Sequence, residues 1–173
     1  VEVTHEVFGW DAAPDDKFLL VRVVLKNTEV LPLNNLYTGF FADWDLGDPG
    51  NDNTGYDPQQ RMAYAYGDDE QGQDRHTGIV LLSEDVDPHA WGSTVLGYAW
   101  TDSAHYRAIS SGTDSAEVLN NGIIQHMGAG PLQLFPTQTD TLYFAFVAGN
   151  DFQDLQAAAQ AARQKYLCSF IAE

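Results

Sequence analysis

Two β-rich segments open the chain, Glu2 to Trp10 and Lys17 to Lys26, and apolar and polar residues alternate along the second. In the second, Leu19, Val21, Val23 and Leu25 share one face while Arg22 and Lys26 share the other, which is the two-residue period of a half-buried antiparallel strand. The intervening Asp11-Ala12-Ala13-Pro14-Asp15-Asp16 has turn composition. Further strands are predicted over Leu36 to Trp44, Arg61 to Tyr66, Thr77 to Ser83, Val95 to Trp100, Leu132 to Phe135 and Thr141 to Ala148. The last is apolar at nearly every position, as a strand covered on both faces would be. Asp114 to Asn120 reads as a short helix. A sustained helical period appears at the end, where Phe152, Leu155, Ala159, Ala162 and Tyr166 recur at spacings of three and four. Asp151 is placed to cap that helix, and Asp154 near its start and Arg163 and Lys165 near its end complement its dipole. The pattern predicts one mainly β domain over residues 1–173, an antiparallel β-sandwich of jelly-roll-like type with a C-terminal α-helix.

Composition narrows the partners. The chain has 173 residues and a formal charge of −17, with 25 acids against 8 Lys and Arg. No basic patch is available to displace counterions from nucleic acid, and anionic membrane surfaces are disfavoured for the same reason. Cations, neutral ligands such as sugars, basic partners and a salty environment are all compatible with this charge. No apolar run reaches the ~18 residues of a membrane span. No signal peptide is visible, and Val1 is not an initiator methionine, so the chain is expected to be a processed or excised piece of a longer product. The single cysteine, Cys168, sits among Tyr166, Leu167 and Phe170 and is expected to be a buried thiol.

The charge is concentrated. From Asp43 to Asp74 there are nine acids and one base, Arg61. On a strand ending near Asp45, Asp43 and Asp45 point to one face with Cα atoms ~6.5–7 Å apart, and two carboxylates so placed repel unless solvated, protonated or bridged. The following loop adds the oxygen donors Asp48, Asn51, Asp52, Asn53, Thr54 and Asp57. Ca2+ takes about 6–8 oxygen ligands, so Asp43, Asp45, Asp48, Asn51, Asp52 and Asp57 form a candidate structural calcium site. The spacing does not match the EF-hand loop, and a solvated Asp/Asn/Gly turn accounts for the same residues. His5, His76, His89, His105 and His126 are scattered with no pair at ligand spacing, so the sequence gives no indication of zinc.

Catalytic motifs are not found: there is no G-x-S-x-G elbow, Walker loop, H-E-x-x-H helix or dinucleotide fingerprint. Ser110 and Ser111 near His105 and Asp114 could be drawn as a triad, but proximity in a loop is not geometry and a polar surface loop is the preferred explanation. Paired carboxylates for glycoside hydrolysis depend on three-dimensional spacing and stay open. Trp10, Trp44, Trp91 and Trp100, with Tyr56, Tyr64, Tyr66 and Tyr98, contain the makings of a stacking platform for sugar rings, alongside core roles for most of them.

The run N-T-E-V-L-P-L-N-N-L-Y-T-G-F-F-A-D-W-D, Asn27 to Asp45, resembles a segment of a noncatalytic domain of large secreted bacterial proteins, often found downstream of subtilisin-like peptidase domains. The stretch from Gly130 through Phe144-Ala145-Phe146-Val147-Ala148-Gly149 to Tyr166 resembles the end of the same domain. The chain departs from that family after Pro136, where Thr137-Gln138-Thr139 replaces a Gly-Asp turn. No peptidase nucleophile, base or oxyanion residue carries over, so any peptidase activity would belong to the parent polypeptide. The resemblance implies a secreted or cell-surface accessory module that is not itself an enzyme, with neighbouring domains of the parent polypeptide as partners and a carbohydrate or protein ligand. A carbohydrate-binding module and a carboxylate-dependent glycoside hydrolase are the alternative classes.

Overall fold

The computed structural model describes residues 1–47, 50–69, 71–114 and 116–171. Among these, ten strands form two antiparallel sheets: β1 (Glu2–Gly9), β2 (Phe18–Lys26), β3 (Leu33–Trp44), β4 (Asp52–Asp57), β5 (Met62–Asp68), β6 (Asp74–Leu81), β7 (Pro88–Thr94), β8 (Val118–Asn121), β9 (Ile123–Leu134) and β10 (Thr139–Gly149). The larger sheet has the order β1-β2-β10-β6-β5-β4-β8 and the smaller β3-β9-β7. The two pack face to face, so the expected β-sandwich is present, with its strands divided seven and three.

Two apolar layers hold the sandwich. Between the sheets lie Val21, Val23, Leu25, Ile79, Leu81, Met127, Leu134, Leu142 and Phe144. On the far side of the larger sheet, Leu20, Met62, Val80, Ala145 and Val147 meet Leu155, Ala158, Ala159 and Ala162 of a C-terminal helix. The central strands β2, β6 and β10 are therefore covered on both faces, which is why Thr141 to Ala148 lacks polar alternation. Asp151 caps the C-terminal helix as expected, its Oδ1 accepting from the Asp154 amide at 2.7 Å. The Lys17 ammonium donates to both carboxylate oxygens of Asp154 at 2.6 and 2.7 Å, fastening the helix start to the chain entering β2.

A short helix, α1 (Asp102–Ala108), with Thr101 as N-cap, packs against the outer face of the smaller sheet; α2 is the C-terminal helix Phe152–Tyr166. This region corrects the expected elements. Val95 to Trp100 is turn and irregular chain, and the strand lies just before it, as β7. Asp114 to Asn120 does not read as a helix where it is described: Val118 opens β8, and Ser115 lies outside the described residues. With both faces of β7 covered, its polar His89 is buried by hydrogen bonding, with Nε2 3.1 Å from Gly130 O and Nδ1 accepting from Gly112 N at 2.8 Å. Cys168 is exposed rather than buried. It belongs to the wide terminal turn Leu167–Ile171, in which Phe170 takes the inward position against Phe8 and Tyr143.

Candidate functional site

Of the six residues of the acidic strand exit, the five that are described are not brought to one place. Asp43 pairs with Ile124 across β3 and β9 and is exposed on the outer face of the smaller sheet. Asp45, just past β3, lines a groove of about 420 Å³ together with Lys17, Asp69, Arg75, His76 and Asp154. Asp48 lies outside the described residues. Asn51 accepts a hydrogen bond on its carbonyl from Asn53 Nδ2 at 2.8 Å. Asp52 opens β4 with its carboxylate fully buried beside Gly67, and its Oδ2 accepts from Leu46 N at 3.4 Å.

Asp57 closes β4 at the other end, five residues and therefore roughly 16 Å from Asp52. Its Oδ1 accepts from Gln59 N at 2.9 Å and Gln60 N at 3.2 Å, and its Oδ2 from Gln156 Nε2 at 2.7 Å. Those contacts cap a turn and anchor α2, and one ion cannot bridge Asp57 and Asp52. Among the described residues no three His, Cys, Asp or Glu side chains are arranged to hold a metal.

The acidic end of the sandwich also contains Asp68 and Asp74, cross-strand partners in β5 and β6. Hydrogen bonding to the Asp74 carboxyl, followed by burial, pushes the Asp68 carboxyl above the ordinary carboxylate range. Asp69 is held below it, chiefly by the Gln73 amide at 2.9 Å, with help from the Gln71 amide and from Arg75 at 2.6 Å.

A different surface has the geometry of a ligand groove. Tyr64 and Tyr66 alternate on β5 and so project from the same face, with ring centroids 6.1 Å apart and planes 29° apart. Tyr66 stacks on His76 at 5.5 Å, and Tyr64 leans on Phe152 of α2 at 4.9 Å. Opposite Tyr64 on β4 stands Gly55, where a Cβ would come within 2.5 Å of the Tyr64 ring, so the glycine is what lets the ring lie across the strand. With Tyr56, Thr113, Asp114 and Glu117 these rings line an open groove of about 450 Å³. Burial raises the Tyr56 and Tyr64 phenols above their ordinary range, so both remain hydroxyl donors at neutral pH. The Tyr64 and Tyr66 rings, their hydroxyls and two carboxylate acceptors thus line one groove, while Tyr56, pairing with Ala63, packs against the core between the sheets.

The tryptophans are placed apart from this groove. Trp10 and Trp44 line a separate apolar cleft of about 320 Å³ with Phe18 and Phe146, and Lys165 Nζ lies 4.6 Å from the Trp10 ring centroid. Trp91 stacks under Arg107 at 5.8 Å. The serine pair is occupied with α1, since Ser110 Oγ donates to Tyr106 O at 2.7 Å and Ser111 Oγ donates to Arg107 O. Neither serine bonds to His105. Instead His105 meets His126 and Tyr98, a contact between distant chain segments that residue spacing alone could not reveal. Burial and the neighbouring His105 push the His126 imidazole down to about 4, and burial raises the Tyr98 phenol.

Fold and grooves together define an antiparallel β-sandwich with ligand-sized surface recesses. Comparison of the chain with protein-family models and with curated proteins gives no match.

Proposed function

We propose that this chain is a noncatalytic accessory module of a larger secreted protein and that it binds a neutral saccharide in the Tyr64–Tyr66 groove. The observation that carries the reading is the composition of that groove, with stacked phenol rings beside Asp114 and Glu117. Sugar rings present apolar C–H faces edged by hydroxyls, which match aromatic faces flanked by donors and acceptors. The resemblance of Asn27 to Asp45 and of Gly130 to Tyr166 to a noncatalytic secreted domain supports the accessory role. Calcium near Asp45 and Asp52 is a companion proposal, supported by the crowding of carboxylates at that end of the sandwich.

Titration calorimetry against a panel of neutral polysaccharides tests the binding role. Tyr64→Ala and Tyr66→Ala are each expected to weaken a positive signal at least about tenfold, the equivalent of ~1.4 kcal/mol. No binding across the panel by the folded protein retires the saccharide reading. Release of reducing ends, abolished by Glu117→Gln, would make the protein a hydrolase instead.

A further inference from the structure

We propose that Tyr98 Oη, His105 Nδ1 and His126 Nε2 form a binding site for a divalent first-row transition metal ion such as Zn2+. The three atoms are mutual neighbours: Tyr98 Oη lies 3.1 Å from His105 Nδ1 and 3.2 Å from His126 Nε2, and the two nitrogens are 3.1 Å apart. Nitrogen and oxygen ligands about 2.0–2.1 Å from a tetrahedral Zn2+ stand roughly 3.3–3.4 Å from one another, so this triangle is one face of such a site after a shift of about 0.2 Å. The rings splay away from the triangle, with centroids 5.2, 5.3 and 5.4 Å apart. Their polar atoms therefore converge while their bodies diverge, as ligands around a shared centre do.

The surroundings suit an ion. His126 is 1% exposed and Tyr98 8%, and the partly exposed rings of Phe41 and Trp100 pack edge-on against His105 and Tyr98 respectively. The cluster opens on a groove of about 340 Å³ lined by Phe41, Asp102, His105, Tyr106 and His126, which provides an entry path with a carboxylate beside it. His126 Nδ1 is buried with no hydrogen-bond partner, so all the polar contacts of that ring run through Nε2. On binding, Nε2 and Nδ1 give lone pairs to the metal, and the phenol proton leaves to solvent. Tyrosine is the third ligand, so the site does not depend on three His, Cys, Asp or Glu residues.

The test uses the whole chain, stripped with chelator and dialysed, then titrated with Zn2+ in competition with a chromophoric chelator. Wild type is expected to bind one ion per chain. His105→Gln and Tyr98→Phe are each expected to weaken binding by more than the roughly 10–100-fold that outer-shell changes cause. His105 is only partly buried, so its variant should fold, and thermal melting of the metal-free proteins checks this. His5→Gln and His76→Gln, remote from the cluster, should leave affinity unchanged. The Cu2+ form should show a phenolate-to-copper charge-transfer band that Tyr98→Phe removes and His76→Gln keeps. No stoichiometric binding by wild type, or affinity unaltered in folded His105→Gln and Tyr98→Phe, overturns the site and leaves the three residues as a hydrogen-bonded cluster.

Discussion

Gln125 is a polar tie between the two sheets, and replacing it should be costly out of proportion to its size. It lies on β9 with no exposed surface. Its Oε1 accepts from Trp44 Nε1 at 3.1 Å, and its Nε2 reaches Tyr64 O at 2.8 Å and Gly55 O at a long 3.5 Å. One side chain thus holds the end of β3 and, from behind, the two strands that carry the tyrosine groove. Gln125→Leu keeps the volume but loses two good hydrogen bonds, each worth about 1 kcal/mol net, and leaves the Trp44 indole N–H without its acceptor at a further ~1 kcal/mol. The sum of about 3 kcal/mol corresponds to a fall in melting temperature of roughly 6–12 °C for a chain of this length.

Gln125→Glu should be worse at neutral pH, by about 3–5 kcal/mol, because a buried unpaired carboxylate would face two carbonyl oxygens. Burial raises the folded-state pKa of that carboxyl above its unfolded value of about 4.3, so the folded state binds the proton more tightly. The Gln125→Glu deficit should therefore shrink as pH falls from 7 to 5, while the Gln125→Leu deficit should stay nearly constant. Urea unfolding of the three proteins at both pH values measures this. A Gln125→Leu cost below 1 kcal/mol, or a Gln125→Glu deficit that does not narrow in acid, would refute the assigned role.

Other outcomes follow from single contacts. Phe144, fully buried with its ring 5.1 Å from that of Phe40 across the sandwich, should cost about 3–5 kcal/mol on replacement by alanine, read from the urea midpoint. The Lys17 hydrogen bond and then the Asn150 amide hold the Asp154 carboxyl below the ordinary range, so its stabilisation is present above pH ~4 and lost as pH falls through its folded value. The stability gap between wild type and Asp154→Asn should accordingly be present at pH 7 and close towards pH 2.5. If calcium is held near Asp45 and Asp52, chelator should lower the melting midpoint and added Ca2+ restore it at fixed ionic strength, with Asp52→Asn removing the response; an unmoved midpoint retires the ion.

Legibility in the sequence followed the number of faces that each element buries. β2 and α2 were readable because burial against an extensive core imposes a period, of two residues on the strand and of 3.6 on the helix, and β10 because burial on both faces leaves a nearly unbroken apolar run. β7 was not: His89 is buried by hydrogen bonds to Gly130 and Gly112, and side-chain polarity therefore misreports its environment. α1 has seven residues and buries only Ala108, too little to leave an apolar stripe. β4 was hidden inside the acidic run, because Asp52 and Asp57 bury their carboxylates against backbone and amide donors and so look like loop residues.

By itself the sequence determined the class of fold, the strongly negative charge and the capped terminal helix, since these rest on local spacing and composition. Tertiary structure decided which chemistry-bearing groups meet. It separated Asp57 from Asp52 by the length of a strand, although only five residues divide them. It stacked Tyr64 over Gly55, and it joined His105, His126 and Tyr98 across 28 residues of chain. The physical reason is that convergence of side chains depends on strand register and on how α1 lies against β9, and neither leaves a period in the chain for a reader to find.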